Sequence, residues 1–135
     1  GQHRPAPGRA VVRRVVADAG ALLGWFDAAS PHRALRTEYE AGTLAVIAPR
    51  GLVAEALGIL AERGFPQESL ARVGTELHRI GLQLQDPPME ALTTWLAKGL
   101  APGRAAYPAL AASLDVPLVT DDGELRRVAS GIPRG

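Results

Sequence analysis

Acidic residues at the ends of two apolar runs could do chemistry in this chain. Asp18 ends the run over residues 15–17 and precedes a segment with helical character. Asp121 and Asp122 end a second run, over residues 117–120. In an open α/β sheet, ligands bind outside the carboxyl ends of the strands. We therefore expect these carboxylates to meet at that edge of a sheet and to form a divalent-metal site.

Glu55 is the third acid of the predicted site. At ~100° per residue it lies at the edge of the apolar face of a helix predicted over residues 50–63. Carboxylate oxygens suit Mg²⁺ or Mn²⁺, and such an ion beside a phosphodiester can generate hydroxide and stabilise the leaving oxygen. The predicted catalytic and metal-binding residues are Asp18, Glu55 and Asp122, with Asp121 as an additional metal ligand.

Each of these acids also has an ordinary structural interpretation. Asp18 and Asp122 can cap the helices that follow them, because Asp is a favoured N-cap residue. An acid at the edge of a helix face, such as Glu55, usually extends into water. For Asp18 the two roles are compatible, since a capping carboxylate can still present an oxygen to a cation.

Other kinds of site have little support in the sequence. The chain has no cysteine, which excludes disulfides and thiolate metal sites. His3, His32 and His78 are isolated, so all three are predicted to be surface residues and not metal ligands. The glycine-rich phosphate-binding motifs and the G-x-S-x-G motif of serine hydrolases are absent.

Composition is typical of a globular domain. Of 135 residues, 47% are hydrophobic and 21% are charged, and the net charge of +1 argues neither for nor against nucleic acid. The lack of cysteine is compatible with the cytoplasm, the location we expect. No apolar run approaches the ~20 residues of a membrane span, so no membrane association is expected.

Arginine dominates the basic residues, with fourteen Arg and one Lys. Arg suits bidentate phosphate contacts, although coding bias is the favoured explanation of this excess. The candidate phosphate contacts are Arg50, Arg104, Arg126 and Arg127, and for any one of them a solvated surface role is the favoured interpretation.

Strand-like and helix-like segments alternate along the chain. Strands are predicted over residues 11–16, 44–48, 82–85 and 117–120, and helices over 19–27, 30–42, 50–63, 66–80, 89–98, 108–114 and 123–130. This alternation predicts a single-domain α/β fold, a three-layer α/β/α sandwich with a central parallel sheet. The domain is expected to span residues 11–131, with a flexible lead over 1–10 and a tail over 132–135.

In order and spacing, these segments resemble the PIN-domain family, and especially its small bacterial VapC-type toxins. The resemblance is carried by Asp18 after its strand, Glu55 six residues after Pro49, Tyr107 before an alanine-rich helix, and the segment over residues 117–122. It implies a metal-dependent endoribonuclease in which Asp18, Glu55 and Asp122 are the first, second and last acids. It also implies an RNA substrate, a cognate antitoxin and a homodimer.

Two residues depart from the family pattern. Pro108 stands where an acid usually follows the tyrosine, and Gly20 replaces a small hydroxyl residue. Proline is tolerated in the first turn of a helix, so we expect a helix to begin near residues 107–108. Its positive end and Arg104 would then lie where family members have negative charge, which predicts weakened metal binding. The alternatives are a catalytically inactive PIN-like module that binds RNA or a protein, and a nuclease acting on DNA.

Overall fold

Four parallel strands form the sheet, in the order β3-β2-β1-β4. The computed structural model describes residues 11–135, so the lead predicted over residues 1–10 lies outside the part described. All four strands were predicted, with small shifts in their bounds. They are β1 (Arg13–Ala17), β2 (Leu44–Ala48), β3 (Gln83–Leu84) and β4 (Leu118–Val119).

The helices connect these strands and flank the sheet. Six of the seven agree with the predicted segments to within a few residues, and the 3₁₀ turn Gly24–Phe26 extends the first. Their bounds are α1 (Ala19–Leu23), α2 (Arg33–Glu40), α3 (Leu52–Glu62), α4 (Gln67–Arg79), α5 (Met89–Ala97), α6 (Pro102–Leu114) and α7 (Gly123–Val128).

Both faces of the sheet are covered. Successive side chains of a strand point to opposite faces, yet Val15, Val16 and Ala17 of β1 are all fully buried. Val46 and Ile47 of β2 are also buried. Helices must therefore pack on each face, which confirms the α/β fold with a central parallel sheet.

The strand order creates a crevice beside β1. The chain passes from β1 to β2 and then to β3 on one side, and returns to place β4 on the other side. Val16 pairs with Ile47 of β2 and with Leu118 of β4. Such a reversal of strand order is where open α/β sheets bind ligands. The residues that follow β1 and β4 therefore occupy the position expected of a functional site.

Helix α6 begins earlier than the sequence suggested. The amides of Arg104 and Ala105 donate to the carbonyl of Ala101, so the helix starts at Pro102, and Pro108 lies inside it. The expectation of a start near residues 107–108 was wrong, because Pro102 takes the first-turn position that we had given to Pro108. The positive end of the helix is therefore more than a turn away from Pro108.

The last residues of the chain pair with the edge of the sheet. Leu118 forms a parallel bridge with Arg134, and its amide donates to the carbonyl of Pro133 at 2.9 Å. This contact holds the segment over residues 132–135 against β4. Among the described residues, none of the helices combines the length and the apolarity needed to cross a membrane.

Candidate active site

An open cleft of about 250 Å³ lies at the carboxyl end of β1 and β4. All four acids that the sequence singled out line it, and the other residues in its wall are Gly20, Ile59 and Arg104. The acids come from three separate parts of the chain: the end of β1, the first turn of α3 and the end of β4. The fold thus brings Asp18, Glu55, Asp121 and Asp122 to one place, and we refer to it as the acidic cleft.

Asp18 is the most buried of these acids, with 5% of its surface exposed. Its Oδ1 accepts the amide of Ala21 at 2.8 Å and so caps α1, while its Oδ2 accepts the hydroxyl of Thr120. Burial raises the pKa of the Asp18 carboxyl, and these two hydrogen bonds act against the rise. The predicted capping role is confirmed, and the same carboxylate faces the cleft.

Glu55 is half-buried and is held by a tyrosine. The Tyr107 hydroxyl donates to Oε2 of Glu55 at 3.1 Å. Burial raises the pKa of Glu55, and the hydrogen bond from Tyr107 partly offsets it. Burial also raises the pKa of Tyr107, as does the neighbouring negative charge of Glu55. Glu55 therefore turns toward the sheet and does not extend into water.

Asp122 has two partners. Its Oδ1 accepts the amide of Leu125 at 2.9 Å, which caps α7. Its Oδ2 lies 2.5 Å from Nη1 of Arg104 in an ion pair. Arg104 thereby brings positive charge into the acidic cleft, where the sequence predicted that it would oppose a metal ion.

Asp121 contacts a histidine that the sequence analysis misjudged. Nε2 of His32 lies 2.6 Å from Oδ1 of Asp121. His32 is 7% exposed, so the prediction of a surface histidine was wrong at this position. The contact joins residues 89 positions apart, which a pattern of neighbouring residues cannot reveal. His78 is exposed as predicted, and His3 lies outside the described residues.

The acidic cleft offers the kind of ligand atoms that a divalent cation prefers, but these atoms are not grouped closely enough to hold one. Carboxylate oxygens are the ligands that Mg²⁺ and Mn²⁺ prefer. However, no three Asp, Glu or His side chains within residues 11–135 are grouped closely enough to hold a metal ion. Each of the four acids has a protein partner instead. A metal ion would have to displace some of these partners, and Arg104 is the one that carries a competing charge.

Two residues of the site were not singled out as functional by the sequence analysis. The Thr120 hydroxyl links Asp18 to the amide of Asp122, which donates to it at 3.0 Å. Tyr107 holds Glu55. The signals were present, because Thr120 ends the β4 segment directly before the acids and Tyr107 belongs to the segment that carried the family resemblance.

The candidate phosphate contacts divide into two groups. Arg104 lines the acidic cleft, and Arg126 lines a neighbouring cavity. Arg50 is exposed and lies 3.7 Å from Asp86, outside the cleft. Arg127 is exposed and lines neither cavity. The structure therefore brings two of the four arginines to the region of the site.

Comparison with known proteins supports the fold. No protein-family model matches this sequence, and no curated protein matches it either. Among solved structures, the chain is similar to PAE2754 from Pyrobaculum aerophilum, with 24% identity, a TM-score of 0.63, and coverage of 93% of this chain and 91% of that chain. It is also similar to VapBC2 from Rickettsia felis bound to a DNA fragment from its promoter, with 11% identity, a TM-score of 0.61, and coverage of 90% and 97%. The likeness confirms a PIN-like fold.

Proposed function

We propose that this chain is a metal-dependent endoribonuclease of the PIN/VapC toxin type whose site binds Mg²⁺ or Mn²⁺ weakly. One observation carries the proposal. Carboxylates from the end of β1, from α3 and from the end of β4 line a single cleft where the strand order reverses. Ligands bind at this position in open α/β sheets, and the likeness in fold to a VapBC2 chain points in the same direction.

The reaction would be hydrolysis of a phosphodiester bond in RNA. Asp18, Glu55 and Asp122 would hold the ion, with Asp121 as an additional ligand. When bound, the metal supplies Lewis acidity that polarises a phosphoryl oxygen. Thr120 fixes the orientation of Asp18, and Tyr107 fixes that of Glu55. Arg104, once released from Asp122, can contact a phosphate oxygen, because its guanidinium presents several donors in a planar fork.

A catalytically inactive PIN-like module is the second candidate. Two observations favour it: the ion pair between Arg104 and Asp122, and the lack of three grouped metal-binding side chains within residues 11–135. In this role the same cleft would bind RNA or a protein without cleaving a bond. A nuclease that acts on DNA is a variant of the first candidate.

The further parts of the proposal concern partners. A cognate antitoxin, a homodimer and a cytoplasmic location would accompany a VapC-type function. An apolar groove supports a protein partner, because Phe26 and Phe65 are 44% and 42% exposed there. Leu23, Leu60 and Val73 line the same groove, so a partner helix could bury these rings.

Cleavage assays on matched variants test the activity. Labelled single-stranded RNA is incubated with the parent protein, Asp18→Asn and Asp86→Asn, each with Mn²⁺ and with a chelator. The parent and Asp86→Asn should cleave the RNA only with Mn²⁺, because Asp86 lies outside the acidic cleft. Asp18→Asn should be inactive. A single-stranded DNA of the same sequence identifies the preferred nucleic acid.

Two outcomes would contradict the nuclease. Cleavage by Asp18→Asn at the parent's rate would assign the activity to a contaminant or to another site. RNA that binds to the parent and stays intact with Mn²⁺ would support the inactive module instead.

A further inference from the structure

A second cavity, of about 240 Å³, lies beside the acidic cleft and is lined by cationic and neutral residues. The polar side chains in its wall belong to Thr120, Arg126, Ser130 and Arg134, and we refer to it as the arginine pocket. Two of these side chains are guanidinium groups, and none of the residues lining the cavity is acidic. The arginine pocket is thus the electrostatic opposite of the acidic cleft.

Arg126 is the residue that points most directly to a ligand. Its Nη1 atom is buried and has no hydrogen-bond partner among the described residues. A buried donor without an acceptor is costly, and the cost is larger for a charged group. Arg126 also lines the cavity, so an anion that binds there would pair with the rest of its guanidinium group and offset the cost of its burial.

Arg134 is placed at the same cavity by the end of the chain. The amide of Leu118 donates to the carbonyl of Pro133 at 2.9 Å, and Leu118 pairs with Arg134 in a parallel bridge. These backbone contacts hold the segment bearing Arg134 against the edge of β4. The fold therefore places a second arginine at the same cavity.

Thr120 connects the arginine pocket to the acidic cleft. It lines the pocket, while its hydroxyl donates to Asp18 and accepts the amide of Asp122. This hydroxyl has no proton left for a ligand in the pocket, so the arginines and Ser130 supply the donors. Thr120 therefore lines the pocket and contacts two of the residues that line the cleft, which puts an anion site close to a site of four carboxylates.

The chemistry of the pocket selects a phosphate group. A guanidinium matches phosphate with two parallel hydrogen bonds. None of the residues lining the pocket is aromatic, so the pocket offers no platform on which a base could stack. A nucleic-acid strand that presents one phosphodiester to the acidic cleft carries another phosphate close by.

We propose that the arginine pocket binds a backbone phosphate of single-stranded RNA, next to the phosphodiester held at the acidic cleft. The proposal rests on the nuclease function proposed above. It adds to that function a subsite made by Arg126 and Arg134, which positions the strand and reads no base.

Salt-dependent RNA binding tests this subsite. Anisotropy of labelled single-stranded RNA is measured over a range of salt concentrations in the Asp18→Asn background, where cleavage does not interfere. Arg126→Gln should weaken binding about tenfold, as expected for the loss of charged hydrogen bonds. The slope of log Kobs against log salt should fall in magnitude by about 0.7, the value for one phosphate contact to a single strand. Arg134→Gln, a change at an exposed residue, should lower the slope in the same direction without affecting folding.

Arg127→Gln is the matched control, since it removes the same charge one position along α7 from a residue outside the pocket. It should leave the slope unchanged. The subsite would be overturned if Arg126→Gln and Arg127→Gln changed the salt dependence of RNA binding equally, or if neither changed it. It would also be overturned if the protein bound no RNA. If the parent cleaves RNA and Arg126→Gln binds RNA as tightly as its reference, the subsite alone is refuted. If Arg126→Gln weakens RNA binding but the parent leaves RNA intact with Mn²⁺, the nuclease alone is refuted.

Inorganic phosphate is the other source of the same chemical group. The Tm of the parent and of Arg126→Gln is compared in phosphate and in chloride at equal ionic strength. A rise specific to phosphate and dependent on Arg126, together with unchanged RNA affinity in Arg126→Gln, would assign the pocket to free phosphate and overturn the backbone contact. Loss of RNA affinity in Arg126→Gln supports the proposal whether or not phosphate alone raises the Tm.

Discussion

Replacement of Arg104 by alanine should tighten the binding of Mn²⁺ to the acidic cleft. The guanidinium lies 2.5 Å from Asp122. Burial raises the pKa of both Asp18 and Glu55, and the charge of Arg104 acts against that rise at each residue. Arg104 therefore already supplies positive charge to three of the carboxylates that would hold the ion.

The expected gain in affinity follows from the exposure of this ion pair. The side chains of Arg104 and Asp122 are 46% and 23% exposed, so solvent screens the pair. Exposed pairs are worth about 0.2–1 kcal/mol, and a unit charge about 4 Å from a divalent ion repels it by about 2 kcal/mol in water. Loss of the ion pair and loss of the repulsion between the guanidinium and the metal together favour binding of the ion by about 2–3 kcal/mol, or roughly 30- to 150-fold in Kd.

Titration calorimetry with Mn²⁺ measures this effect. Arg50→Ala is the matched control, because Arg50 also faces a carboxylate, Asp86 at 3.7 Å, but lies outside the acidic cleft. Its affinity for Mn²⁺ should equal that of the parent. A Kd for Arg104→Ala within twofold of the parent would refute the view that Arg104 competes with the metal.

Two further predictions concern stability. Burial raises the pKa of Glu55 in the folded state above its value of 4.5 in the unfolded chain. The stability that comes from the neutral carboxyl of Glu55 is therefore fully present below pH 4.5 and is lost as the pH rises through the raised pKa. Glu55→Gln should therefore raise the Tm by a few degrees at pH 7 and leave it unchanged at pH 4. Glu62→Gln, a change at an exposed residue of the same helix, should leave the Tm unchanged at both pH values. Equal Tm values for the parent and Glu55→Gln at pH 7 would contradict this prediction. Thr120→Val leaves the buried carboxylate of Asp18 and the partly buried amide of Asp122 without this partner, and should cost about 1–3 kcal/mol in urea unfolding. A loss below about 0.5 kcal/mol would mean that Thr120 does not hold Asp18 in place.

The sequence predicted the sheet well because its strands carry strong local signals. β2 was predicted at residues 44–48, where a continuous apolar run ends at Pro49. Such runs are typical of strands buried on both faces. The acids at the cleft were found for the same reason, since Asp18 and Asp122 directly follow strands and also cap the next helices.

What the sequence missed depends on packing between distant parts of the chain. Pro108 suggested a helix start because proline in a helix interior removes a hydrogen bond and strains the turn. In the structure the buried face of α6 outweighs this cost, since Tyr107, Pro108 and Leu110 are all buried. The contact between His32 and Asp121, and that between Tyr107 and Glu55, join residues that no local pattern relates.

Pro108 also divides α6 into two parts with different resistance to opening. It has no amide hydrogen, so the carbonyl of Arg104 lacks the donor that an ordinary helix would provide. The turn bearing Arg104 is exposed, while residues 107–111 are buried. Fraying of that first turn therefore leaves the buried part of α6 in place. The amides of the first turn should exchange with deuterium earlier than those of residues 109–111. Local fraying thus gives Arg104 a route away from Asp122 that leaves the rest of the domain folded.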